Sequence, residues 1–131
     1  MATYNNNLAL TELATGEGAG TWGATTNTNL ESIAESLGRA SLVAFTTNAN
    51  TTVTLSNGVG GQALRALNLE ITSSVTLTVT RVLTLAPNTV SRVQFIKNST
   101  TGSQSIEISQ GSGANVTIPN GKTKLVYFSG T

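Results

Sequence analysis

Leu67-Asn68-Leu69-Glu70-Ile71-Thr72, running on through Val75-Thr76-Leu77-Thr78-Val79, decides how this chain is to be read. Every second residue is apolar, and a period of two places those residues on one face of an extended strand. Thr fills many of the positions between, where its branched Cβ suits the pleat and its hydroxyl can face water. The same alternation recurs at Val93 and Phe95 and at Ile106 and Ile108. Outward from this stretch, strands are predicted over 42–47, 51–56, 64–72, 75–83, 90–98, 103–109, 116–118 and 122–128. Turn signals stand between them at Asn57-Gly58, Pro87-Asn88, Gly111-Ser112-Gly113 and Asn120-Gly121, the two Asn-Gly pairs reading as hairpin turns. Short strands punctuated this often predict a mainly β chain with an antiparallel, sandwich-like domain over 41–131.

Composition restricts what such a domain can do. The 131 residues include no His, no Cys and no Asp, while Thr, Ser, Asn and Gly together supply 62. Thiol nucleophiles, disulfides and thiolate metal sites are excluded, as are an imidazole base and a Ser-His triad. Six Glu are the only side-chain carboxylates, a poor basis for metal clusters or paired-carboxylate hydrolysis. The expectation is no enzyme, no cofactor and no metal. Arg39, Arg65, Arg81, Arg92, Lys97, Lys122 and Lys124 are scattered through a chain of net charge +1, so no nucleic-acid partner is expected. No apolar run of membrane-spanning length occurs, and the first residues lack the pattern of a signal peptide. With so few ionisable groups, fold and contacts should depend little on pH.

Residues 1–40 read as an attachment region, an extended arm followed by one short helix. The arm carries Asn5-Asn6-Asn7 and the glycines Gly16, Gly18 and Gly20, and gains order by lying on something. Leu8, Leu10, Leu13 and Trp22 are its docking groups, and the alternation of Leu8 and Leu10 suggests a short strand near 6–13. The three glycines precede a helix but lack the βαβ setting and the Gly-Lys-Ser/Thr ending of a phosphate loop. Thr28-Asn29-Leu30-Glu31 fits a capping box. Leu30, Ile33, Ala34 and Leu37 then form one apolar stripe, closed by Gly38 as a left-handed cap. A helix of this length must pack that stripe on the domain or on a partner. Glu31 and Glu35 read as a solvated face. Trp22 suits either an interface anchor or a plug at the helix–sheet junction.

The stretch 43–58 also echoes 106–121, sharing Val53/Val116, Thr54/Thr117, Asn57/Asn120 and Gly58/Gly121. Two hairpins of like turn chemistry account for this, or a duplicated half-domain. Neither requires a solenoid, which takes at least three repeats.

Thr15-Gly16-Glu17-Gly18-Ala19-Gly20-Thr21-Trp22-Gly23, followed by Thr26-Asn27-Thr28-Asn29-Leu30-Glu31, resembles the N-terminal segment of tail-fibre-like proteins of tailed phages, especially those of cyanobacteria and other marine bacteria. The stretches 86–91, 98–106 and 116–124 are similar to the β-domain that follows in that family. The resemblance implies a virion structural protein, assembled in the host cytoplasm, whose N-terminal region anchors a fibre to the tail. It also implies a homotrimer and partners among other tail proteins, of the adaptor or nozzle type. Leu8, Leu10, Trp22, Leu30, Ile33 and Leu37 are the expected interface residues. Family fibres continue into a receptor-binding tip, whereas this sequence stops at Phe128-Ser129-Gly130-Thr131. That stop fits an N-terminal piece of a longer fibre or a short protein without a tip, so attachment is expected rather than host binding. The competing expectations are a head-decoration protein, a carbohydrate-binding β-module and a tail depolymerase.

Overall fold

The computed structural model describes residues 1–4 and 6–130; Asn5, within the polar tract of the arm, lies outside them. A helix α1 (Trp22–Leu37) leads into eight strands: β1 (Arg39–Phe45), β2 (Thr51–Thr54), β3 (Asn68–Ser73), β4 (Arg81–Ala86), β5 (Ser91–Asn98), β6 (Ile106–Ser109), β7 (Val116–Ile118) and β8 (Thr123–Ser129). A single 3-10 turn, Ala63–Arg65, precedes β3. The strands form two four-stranded sheets, ordered β1-β3-β5-β8 and β2-β4-β6-β7. The core lies between them, built from inward residues such as Leu69 and Ile71, Leu83 and Leu85, Ile96, Ile106 and Ile108, Ile118 and Phe128.

The chain is mainly β, as expected, but the sheets are mixed rather than antiparallel. From β1 to β6 each strand belongs to the sheet opposite the one before it. Each return therefore lays a strand beside its predecessor and parallel to it: β1 with β3, β3 with β5, β2 with β4, and β4 with β6. Parallel neighbours in one sheet need a long crossover, and here the crossover is itself a strand of the other sheet. Three windings result, in the manner of a short solenoid. Only β6–β7 and β5–β8 pair antiparallel, with β6–β7 the hairpin through Gly111-Ser112-Gly113.

The turn chemistry takes a different role accordingly. Gly58 and Gly121 do adopt positive φ, 63° and 75°. Asn57-Gly58 lies between β2 and the 3-10 turn, however, and Asn120-Gly121 joins β7 to β8 across the two sheets. Both are corners, not hairpins. The echo of 43–58 in 106–121 consequently joins unlike structures, since β1 and β2 lie in different sheets while β6 and β7 share one.

Two expected strands shift. Residues 64–67 become the 3-10 turn and its exit, and β4 begins at Arg81 rather than Val75. The 75–80 segment is tied to 98–102 instead, through a bridge from Thr76 to Thr101 and burial of Leu77. Asn98 organises that corner from a fully buried position. Its Nδ2 donates to the carbonyls of Gln104 and Ile118, both at 3.0 Å. Its Oδ1 accepts from the N–H and hydroxyl of Thr100. Asn98 is thus a core hydrogen-bonding centre.

Helix α1 starts seven residues earlier than the capping box at Thr28 implied, and Thr21 caps it without a side-chain bond. Gly38 is extended (φ −103°, ψ −164°) rather than left-handed, because the chain passes straight into β1. The arm contains no regular strand near 6–13; it is a loop closed by a bridge between Thr3 and Glu12. Asn6 holds the loop, its Oδ1 accepting from the N–H groups of Leu8 and Leu10.

Candidate assembly surface

The arm lies on the chain's own body. Ala9 joins the core, and its carbonyl accepts from the Gly58 N–H at 2.7 Å. Asn7 Oδ1 accepts from the Ser91 N–H. Arg65, only 1 % exposed, donates from Nε to the Leu8 carbonyl at 2.8 Å and from Nη1 to Glu35 Oε2 at 3.0 Å. Glu35 also accepts from the Gly61 N–H. It is therefore an inward structural ion-pair partner rather than part of a solvated face. A carboxylate in the last turn of the helix reaches Arg65 because the 3-10 turn carries that arginine beneath α1.

Asn29, expected in the capping box, turns inward as well. It makes a two-way contact with Thr11, its Oδ1 accepting from the Thr11 N–H at 3.0 Å and its Nδ2 donating to the Thr11 carbonyl at 2.9 Å. Ser32 is buried, while Thr25, Thr28, Asn29, Glu35 and Ser36 are half-buried. The face that α1 turns toward the body is thus polar.

Its apolar face is left outside. Trp22, Leu30, Ile33 and Leu37 are between 40 and 74 % exposed. Successive residues of a helix are rotated by about 100°, so these four fall within one narrow arc. A surface helix ordinarily does the reverse, apolar side in and charged side out. The polar contacts to Thr11, Gly61 and Arg65 fix the helix in this inverted orientation. Of the six residues expected at an interface, four are therefore brought together on one outward face. Leu8 and Leu10 are half-buried in the arm loop, with the Leu8 carbonyl engaged by Arg65.

A second exposed apolar block arises in β5 and β8. Val93 and Phe95 point outward, while Gln94, Ile96 and Asn98 of the same strand are buried. Opposite them in β8 stand Tyr127 and Leu125, paired Val93 with Tyr127 and Phe95 with Leu125. All four are between 44 and 71 % exposed. The signal available in the sequence is that Val93-Gln94-Phe95-Ile96 and Leu125-Val126-Tyr127-Phe128 are apolar at positions of both faces.

One cleft, of about 600 Å³, lies between the arm and the β4–β5 corner, lined by Thr3, Tyr4, Asn7, Asn57, Pro87 and Val90 among others, with no carboxylate or base among its described lining residues. The Glu residues are dispersed into separate contacts: Glu12 with Asn6, Glu35 with Arg65, Glu70 with Arg39, Lys97 and Ser99, and Glu107 with Asn115. Among the described residues no three acidic side chains gather as a metal site. Among the described residues no helix is long and apolar enough to cross a membrane. Comparison with protein-family models, curated proteins and solved structures gives no significant match to this chain.

Proposed function

We propose that this chain is a structural subunit of a tailed-phage particle, the N-terminal part of a tail fibre that anchors the fibre to the tail as a trimer. The observation that carries an assembly role is the outward apolar face of α1, with Trp22, Leu30, Ile33 and Leu37 exposed. Such a face costs free energy in water and is relieved by a covering partner. The phage setting rests on the resemblance of the Gly-Thr-Trp-Gly segment and the Thr-Asn-Leu that follows it. Dispersed carboxylates and the absence of His, Cys and Asp support a role in assembly rather than catalysis.

The test is made in particles. Because the arm covers Arg65, removing it would disturb the fold, so exposed positions are the better probes. Phage carrying Leu30→Asp with Leu37→Asp are expected to lose the chain from purified tails, while the isolated variant still gives the circular-dichroism spectrum of the folded chain. Undiminished incorporation overturns the proposal. Recovery on separated heads, at lattice copy number rather than small multiples of three, would reassign the chain to head decoration.

A further inference from the structure

We infer that a second copy of this chain covers the exposed face of α1, and that it does so with the outer face of β5–β8, the block Val93, Phe95, Leu125 and Tyr127. This rests on reading the chain as an assembly subunit, and it names the partner of that surface. The two exposed apolar faces match in size, four large side chains each. A helix stripe laid on the apolar face of a sheet is one of the few stable layer packings.

Charge complementarity favours the pairing. All the charged residues of α1 are acidic, Glu31 and Glu35. The outer face of the β1-β3-β5-β8 sheet carries Arg39 and Lys97 around a single acid, Glu70. Lys122 precedes β8, and it and Lys124 are exposed. Glu31 is exposed on α1, with a charge opposite to that of this basic rim.

A molecule cannot satisfy both faces by itself, since α1 is anchored through its polar side to Thr11 and Arg65. Nor does a helix-to-helix seam suffice. Thr26, Leu30, Ile33 and Leu37 follow the four-three-four spacing of such a seam. Coiled coils sustain that pattern over at least three or four heptads, and this one would leave the sheet block bare. The two faces differ, so the contact is heterologous: each copy offers its helix to one neighbour and its sheet to another. Such contacts close into a ring when the rotation allows, and three copies would satisfy the proposed trimer.

The chain has no cysteine, which makes cross-linking unambiguous. Full-length Ile33→Cys and Phe95→Cys variants, mixed under mild oxidation, are expected to form a disulfide-linked heterodimer in high yield. Self-linking of Ile33→Cys in preference to the mixed product would show a helix seam and overturn the inference, as would the absence of any cross-link. Sedimentation provides the second measurement. The parent chain should be oligomeric, while Leu30→Asp and Tyr127→Asp should each be monomeric and still give the circular-dichroism spectrum of the folded chain. Mixing those two leaves one intact helix and one intact sheet face, so a heterodimer should reappear. A monomeric parent, or a mixture that stays monomeric, overturns the inference. If Leu30→Asp excludes the chain from particles without changing its oligomeric state, this pairing fails and the attachment reading stands. If the pairing holds but particles lack the chain, the attachment reading fails alone.

Discussion

At Gly102 the backbone takes φ +109°, and a Cβ added there would sit 2.0 Å from the Leu77 carbonyl oxygen. The clash is with backbone, inside the corner that Asn98 organises and that the Leu77 N–H closes on the Thr101 carbonyl. Relief requires that corner to open. Gly102→Ala is therefore expected to cost about 3 kcal/mol or more in urea unfolding. Gly111→Ala is the control: its φ is +99° but nothing lies within 4 Å of the added atom, so about 1 kcal/mol is expected. Equal losses at the two sites would remove the steric argument. Arg92 tests the opposite sign. Burial, with a contribution from the nearby charge of Arg65, lowers its pKa to about 10, and its Nη1 has no partner among the described residues. It donates to the Leu64 carbonyl, but Gln94 donates to the same oxygen, so that acceptor stays satisfied without it. Arg92→Met should raise stability by about 1 kcal/mol, read as a higher urea midpoint. A lower midpoint would mean that the guanidinium packs better than its charge costs.

Among the elements, α1 depends on a few side-chain contacts to hold its orientation. Asn29→Ala removes both hydrogen bonds to Thr11 and leaves a half-buried N–H and carbonyl to find other partners. A loss of about 1–3 kcal/mol is expected, with faster amide exchange localised to the arm loop. A uniform increase across the strands would instead show that the arm and body open together. The inversion of α1 also explains what the sequence could and could not tell. Leu30, Ile33 and Leu37 are legible as one helical stripe, but periodicity identifies a face without saying which way it points. The roles of Asn29 and Glu35 are set by residues far along the chain. The strands behave similarly. Seven of the eight were legible from Thr-rich alternation and turn residues, most within a few positions, while β4 meets its expected range 75–83 only at 81–83. Their pairing was not, because a half-buried strand alternates identically in parallel and antiparallel sheets. Asn-Gly suits a corner between sheets as well as a hairpin, so the turns did not separate a winding chain from a meander. In β5, apolar residues on both faces leave the period-two rule without a direction: the alternation marks Val93 and Phe95 as sharing a face, and that face is the exposed one.

For the molecule as a whole, the scarcity of ionisable groups makes pH dependence a narrow and testable property. No histidine is present to titrate near neutrality. Among the carboxylates, Glu70 accepts from the Ser99 hydroxyl at 2.7 Å and pairs with Arg39 and Lys97. The Ser99 hydrogen bond first, and Arg39 next, hold its pKa below the ordinary 4.5. Glu17 is lowered likewise by the Met1 amine and a backbone bond at Ala14. A carboxylate whose pKa is depressed in the folded state binds its proton more readily when unfolded. Its contribution is therefore present above the unfolded value and is lost as pH falls through the folded one. Melting temperature should accordingly be nearly flat between about pH 8 and pH 5 and decline below about pH 4.5. Glu70 bridges β1, β3 and β5, through Arg39 and Lys97, and so ties together the parallel strands of all three windings. Glu70→Gln should lower the neutral plateau and make the acid decline shallower, because the folded state then has one fewer carboxylate to protect. Thermal melts of both proteins across that range decide the matter. An unchanged acid slope in Glu70→Gln would place the pH sensitivity elsewhere, with Glu17 the next residue to replace.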